Sequence, residues 1–182
     1  RVLAGQDGIK EWQEDLYRTM HQHPELSNQE QHTAATAADT LRKAGYEVHD
    51  KIGTTGVVGI LKNGKGPTVL MRADMDALPM KEQTGLPYAS TEQQADSSGK
   101  VVPVAHACGH DVHVASLMGA SRLLAANKSA WHGTFIPLFQ PAEELDEVGR
   151  EARHPDLVRR LLAGLADDEI DLGPGLADDL LD

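Results

Sequence analysis

The chain has 182 residues, 40% of them apolar and 25% charged, with a formal net charge of −11; this length and ordinary globular composition allow one core and at most two small domains. No basic run offsets the acidity, which argues against a nucleic-acid partner, and no apolar stretch approaches the ~20 residues that span a bilayer, so no membrane partner is expected. One cysteine gives no internal disulfide and there is no charged-then-apolar leader, so a cytoplasmic location is expected, while the opening at Arg1 rather than Met points to a missing native start.

Ile9, Trp12, Leu16 and Met20 recur at helical spacing and predict an amphipathic helix from Gly5 to Met20. His23-Pro24 stops it. Ser27-Asn28-Gln29-Glu30 matches a capping box and opens a second helix through Ala34, Ala38 and Leu41, with a C-terminal cap at Gly45. The period then changes. Tyr46 to His49, Gly56 to Leu61 and Thr68 to Ala73 are short apolar or alternating runs, divided by Gly-Thr-Thr-Gly and Asn63-Gly64-Lys65-Gly66-Pro67. They read as strands, the middle pair a hairpin. Lys81 to Lys100 is polar and reads as an exposed excursion. Val112 to Ala126 returns to helical spacing through Val112, Ala115, Met118 and Leu123, and Gly133 to Phe139 is an apolar strand. This order predicts a layered α/β domain.

The composition shifts at Leu145. From there to Asp182 there is no Ser, Thr, Asn, Gln, Lys, Cys, Met or aromatic residue, and eleven acids face four arginines, a net of −7. Gly164-Leu165-Ala166-Asp167-Asp168 recurs as Gly175-Leu176-Ala177-Asp178-Asp179. Leu157, Leu161, Leu162 and Leu165 predict one short amphipathic helix, followed by an acidic, Gly-Pro-broken end expected to be disordered.

The residues that bear chemistry cluster in two places. His106-Ala107-Cys108-Gly109-His110-Asp111-Val112-His113 holds the only cysteine and three of the nine histidines. On a turn that enters a helix, Cys108 and His110 aim at one ion, with Gly109 easing the geometry and the helix start favouring a thiolate. The alternative is a buried thiol beside surface histidines. The second place is Phe139-Gln140-Pro141-Ala142-Glu143-Glu144, after a strand, where open sheets put their ligand sites. Neighbouring carboxylates there can split roles, one binding an ion and one taking a proton from water; adjacent acids also occur simply as solvated surface. Asp74 and Asp76, two apart at the end of another strand, share a face and suit orientation of a ligating histidine, or an Asx turn. His21 and His23 flank a helix stop, where histidines more often cap carbonyls or lie exposed. Gly-rich phosphate loops, Gly-x-Ser-x-Gly and His-Glu-x-x-His are all missing, which removes nucleotide hydrolysis, serine-esterase chemistry and helix-borne zinc proteolysis.

In order, His23-Pro24-Glu25-Leu26, Gly53-Thr54-Thr55-Gly56, Arg72-Ala73-Asp74-Met75-Asp76-Ala77-Leu78-Pro79, His106-Ala107-Cys108-Gly109-His110-Asp111 and Phe139-Gln140-Pro141-Ala142-Glu143-Glu144 resemble the M20 metallopeptidase family. Within it they are most similar to the amidohydrolase branch: N-acyl-amino-acid amidohydrolases, hippurate hydrolases and auxin-conjugate hydrolases. The resemblance implies a zinc-exopeptidase-like catalytic domain, a mixed sheet flanked by helices, with a two-metal centre of Zn or Mn (Co or Ni also suiting the donors). By position it implies Cys108, His110 and Glu144 as metal ligands and Glu143 as the general base that activates water and passes its proton to the leaving amine. Asp76 would orient a ligand, and Asp74 stands where other branches carry a metal-binding histidine. The reaction implied is hydrolysis of the amide of a small N-acyl or N-aroyl amino acid.

Family members are far longer, continuing with a Gly-rich stretch, further ligand histidines and a lid and dimerisation domain. The resemblance ends at Glu144, and His154, in an Arg-His-Pro setting, matches neither remaining ligand. Residues 1–144 are therefore expected to be the N-terminal part of an amidohydrolase catalytic domain, without the lid and the homodimer interface. Residues 145–182 are expected to be a tail of unrelated character, as a frameshift in a GC-rich gene produces. Such a chain is expected to be weakly active or inactive; the alternative is a non-catalytic remnant acting through protein–protein contacts.

Overall fold

The computed structural model describes residues 2–147. The expected helix over Leu157 to Leu165, the acidic end and His154 all lie outside the described residues. Within them, helix α1 (Gln6–Gln22) and helix α2 (Gln31–Lys43) precede strands β1 (Glu47–Ile52), β2 (Gly56–Asn63) and β3 (Thr68–Asp74). Two short strands, β4 (Gln93–Ala95) and β5 (Val101–Pro103), come before helix α3 (His110–Ala126) and strand β6 (Gly133–Gln140). The expected α/β layering is present.

The main sheet has the order β1-β2-β6-β3. β1 and β2 form the expected hairpin, while β2 and β3 do not pair with each other, because β6 lies between them, antiparallel to β2 and parallel to β3. Every residue of β2 from Gly56 to Leu61 is buried, as is β6 from Phe135 to Gln140. That is why these two segments read as continuous apolar runs rather than alternating ones. Proline in a central strand removes a ladder donor, and the pairing of β2 with β6 skips Gly59 and Ile60 where they face Pro137 and Ile136. β3 is an edge strand whose Val69 and Met71 point together to solvent, each 48% exposed.

The core joins the helices to one face of this sheet. Leu16 and Met20 of α1, Ala37, Ala38 and Leu41 of α2, and Val114, Leu117 and Met118 of α3 pack with Val57, Leu61, Ala73, Phe135 and Phe139. Burying a side chain such as Leu41 or Phe139 contributes about 1.5–3 kcal/mol each. In α3 the buried set is broader than the spacing predicts. Val112, expected inside, is 49% exposed, whereas Val114 and Leu117 are buried.

Two local expectations are corrected. α2 has no capping box: its N-cap residue, Glu30, makes no side-chain cap bond, and Ser27 Oγ donates to Asp76 Oδ2 at 2.6 Å. The first turn is capped by Glu25, which accepts from His32 N and, with its other oxygen, from Thr33 N, all at 2.9 Å. A carboxylate serves the open amides of a helix start equally well from outside the helix. The polar excursion from Lys81 to Lys100 carries β4, which pairs with β5 across the turn at Asp96 to Gly99. Among the described residues no helix is long and apolar enough to cross a membrane.

Candidate metal centre

The site lies where β3 and β6 end. After Asp74 the chain stays beside β6, Met75 N–H donating to Gln140 O at 2.9 Å, and reaches the fully buried Asp76. Gly109, with φ 81, forms the left-handed N-cap of α3, a conformation that costs a side-chain-bearing residue energy. His110 follows in the first turn. Its Nδ1 lies 2.8 Å from the backbone carbonyl oxygen of Asp76. A carbonyl only accepts, so Nδ1 carries a proton, and Nε2 presents a lone pair once the ring is neutral.

That Nε2 faces carboxylates on three sides. Glu143 Oε2 is 3.7 Å away, Asp74 Oδ2 3.8 Å and Glu144 Oε1 3.9 Å. These are too long for hydrogen bonds. They match the spacing, roughly 3.4–4.2 Å, of donor atoms that share one ion through bonds of about 2.1 Å. Two overlapping groups of donors converge here: Asp74, His110 and His113, and His110, Glu143 and Glu144.

The electrostatics favour a cation. Burial opposes charge on His110, but Asp76 and Asp74 outweigh it and push its pKa up to about 9. Burial likewise opposes charge on Asp76, yet bonds from His110, Ser27 Oγ and the Glu144 N–H hold its carboxyl below the usual range. Three carboxylates around one imidazole, with Arg72 engaged by Asp74 and by Gln140 Oε1, make a donor set that fits a divalent ion.

Two buried carboxylates shape the turn that carries Glu143 and Glu144. Ala142 adopts a left-handed φ of 56, and its N–H donates to Glu30 Oε1 at 2.8 Å. The Glu144 N–H donates to Asp76 Oδ2 at 2.9 Å. Glu30 is fully buried and its other oxygen accepts from Thr55 Oγ1 at 2.6 Å. Burial raises its pKa, against the pull of those bonds. The Gly53-Thr54-Thr55-Gly56 segment and Glu30 are thus struts beneath the Glu pair.

The structure brings together His110, Glu143, Glu144 and Asp74, with Asp76 behind the imidazole. Asp74 and Asp76 do share one histidine, at its opposite nitrogens. Cys108, expected as a ligand beside His110, is exposed and belongs to neither donor group, and the alternative of a buried thiol fails. His113, half of whose side chain is exposed, places Nδ1 3.7 Å from Asp74 Oδ2. His106 is buried, its Nδ1 has no hydrogen bond among the described residues, and burial pushes its pKa down to about 4. His23 is exposed and meets Glu92, whereas His21, expected to cap carbonyls or lie exposed, is buried and bonded to two carboxylates. Sequence reading missed Glu25, Glu30 and Asp111 as supports of the site; the one sign was that Glu25 and Asp111 lie inside the motifs themselves.

Residues 70–172 match the model of Peptidase family M20/M25/M40. The chain belongs to this family. The M20 match runs past Leu145, where the composition changes. Thermostable carboxypeptidase 1 of Saccharolobus solfataricus is 46% identical over 143 residues, 78% of this chain and 34% of that protein. Hippurate hydrolase of Campylobacter jejuni is 44% identical over 132 residues, 72% of this chain and 32% of that one. A crystal structure of a dinuclear metal-binding M20 peptidase from Bacillus subtilis superposes with a TM-score of 0.66 at 37% identity, covering 76% of this chain and 36% of that one. The chain therefore spans about a third of the length of these M20 relatives.

Proposed function

We propose that this sequence is the part of a metal-dependent amidohydrolase that holds the general base and half of the metal ligands, acting on N-acyl or N-aroyl amino acids. The observation that carries the reading is His110 Nε2 facing the carboxylates of Glu143, Glu144 and Asp74 at 3.7–3.9 Å. His110 and Glu144 would hold the ion, with Asp74 and His113 offering further donor atoms beside His110. The overlap of two donor groups at one imidazole supports adjacent ions, since a single Nε2 serves only one. Cys108 is proposed as a further ligand, reaching the site from the turn before α3. A thiolate suits Zn, Co or Ni, and the carboxylates leave Mn open.

A divalent ion here would lower the pKa of water and polarise the amide carbonyl. The protein's own groups do the remainder. Glu143, less enclosed than Glu144 with 26% against 10% of its side chain exposed, accepts the proton of the attacking water and delivers it to the leaving amine. Asp76 keeps the His110 ring oriented. A cavity of about 460 Å³ beside Glu144 is lined by Leu26, Ala77, Leu78, Pro79 and Leu145 together with Ser27, Asn28, Gln29, Asp96 and Ser97, with no Lys or Arg. Its two acids, Asp96 and Glu144, disfavour the substrate carboxylate there, and its mixed lining leaves room for the acyl group. The relative named for hippurate, an N-acylated glycine, supports that substrate class.

The test is substitution at each acid in a full-length enzyme that carries this segment, with glycine release from hippurate and Zn²⁺ or Mn²⁺ binding measured side by side. Glu143→Gln should lower turnover about 10²–10⁴-fold while the metal stays bound, and Glu144→Gln should weaken the metal itself. Turnover that survives Glu143→Gln unchanged removes Glu143 as the base.

A further inference from the structure

His21 ends α1 with only 9% of its side chain exposed, and its ring is bonded at both edges. Nδ1 lies 2.7 Å from Asp111 Oδ2 and Nε2 3.0 Å from Glu82 Oε1, whose side chains are 2% and 5% exposed. Tyr17 and Tyr88 enclose the ring, with centroids 5.6 and 5.5 Å away. Ionised carboxylates only accept, so both bonds require a doubly protonated ring. The two acids raise the pKa of His21 although burial works against it. Removing one partner of such a buried set leaves an uncompensated charge.

The three residues come from separate segments. Asp111 is the neighbour of His110 in the first turn of α3, and its Oδ1 accepts from Val112 N at 2.9 Å. Glu82 organises its own loop, accepting from Thr84 Oγ1 and from Ser90 N. That loop is laced to the run leading into His106. Leu78 and Ala105 exchange two backbone bonds, and Ser90 Oγ donates to Val104 O at 2.7 Å. His21 is therefore the joint between the turn that presents His110 and the segment that frames it.

We propose that His21 is a positioning residue of the centre: bonded at both ring nitrogens, it clamps the first turn of α3 to the 82–92 segment and so fixes His110 against Asp76. This rests on the reading of His110 as a ligand, yet its first readout needs no metal. In the metal-free 182-residue chain, the His110 Nδ1 proton bonded to Asp76 O should give a slowly exchanging NMR signal. His21→Leu and Glu82→Leu should both abolish that signal and lower Co²⁺ affinity about 10–100-fold, as loss of groups that orient a ligand does. Glu82→Gln, which keeps an acceptor oxygen, should retain both. The proposal is overturned if the two leucine variants fold and keep the His110 signal, or if Glu82→Gln is as disruptive as Glu82→Leu. Should His21→Leu not fold, Glu82→Leu decides alone; failure of both to fold beside a folded Glu82→Gln makes the role purely structural and overturns it too. A wild-type chain that shows the proton signal but binds no Co²⁺ defeats the metal reading and leaves the clamp standing.

Discussion

Asp76 holds the His110 imidazole through its backbone oxygen and sets its charge beside the same ring nitrogen. Its backbone oxygen accepts from Nδ1 at 2.8 Å, and its carboxylate Oδ1 lies 3.5 Å from the same nitrogen. Oδ2 meanwhile accepts from Ser27 Oγ and from the backbone of Glu144. One buried acid therefore ties His110 to the turn that carries the Glu pair, and its charge raises the basicity of the ring.

Replacing that charge should loosen the ion without unfolding the protein. Asp76→Asn should cost about 10–100-fold in Zn²⁺ affinity, read by competition with a chromophoric chelator. Ser27→Ala should act in the same direction and less strongly. Unchanged affinity in Asp76→Asn would mean that Asp76 does not tune the histidine.

Proton and cation compete for His110. The ion binds only the neutral ring, and the pKa of His110 lies at about 9 instead of its ordinary 6.5. Zn²⁺ affinity should thus climb with pH by up to about tenfold per unit until near 9. A plateau that begins near 6.5 would put His110 outside the ion's reach.

Glu30 sets a second pH dependence, of stability. Its folded pKa is raised by burial, so its favourable contribution is present below the unfolded value and is lost as pH rises through the folded one. Glu30→Gln can still accept from Ala142 N–H and bond Thr55, and should flatten that decline in urea unfolding. Glu30→Ala leaves a buried N–H unpaired and a cavity, and should cost ~2–4 kcal/mol. An unaltered pH profile in Glu30→Gln would contradict this role.

Gly133 opens β6 with φ 113, and a Cβ there would sit 2.2 Å from Pro67 O. Backbone cannot yield as a side-chain tip does. Gly133→Ala should destabilise by about 2–4 kcal/mol, seen as a lower urea midpoint with unchanged slope; a loss under about 0.5 kcal/mol would show that the close approach of Gly133 to Pro67 relaxes.

The periods of Ile9-Trp12-Leu16-Met20 and Ala34-Ala38-Leu41, and the unbroken apolar runs of β2 and β6, made the main elements legible. Strand order was not, because nothing within β2, β3 or β6 records which neighbour it takes. β4 and β5 are three polar-flanked residues each, too short for a period to show. The five motifs led to His110, Glu143, Glu144 and Asp76, which the fold brings together, and to Cys108, which is exposed and outside both donor groups. The struts were hidden for a different reason: Glu30 meets Ala142 and His21 meets Asp111 across 112 and 90 residues, so their partners exist only in the fold. A capping box was read at Ser27 to Glu30 because both side chains fit the pattern, while the fold commits them to Asp76, Thr55 and Ala142.

The central claim is that His110 organises an ion between Glu143, Glu144 and Asp74. Its most direct test is equilibrium dialysis of the wild-type and His110→Asn chains against Zn²⁺ and Mn²⁺, followed by elemental analysis. The account predicts that the wild type retains about one equivalent or more of metal and that His110→Asn loses it. Equal retention by both, or no metal in the wild type, contradicts it.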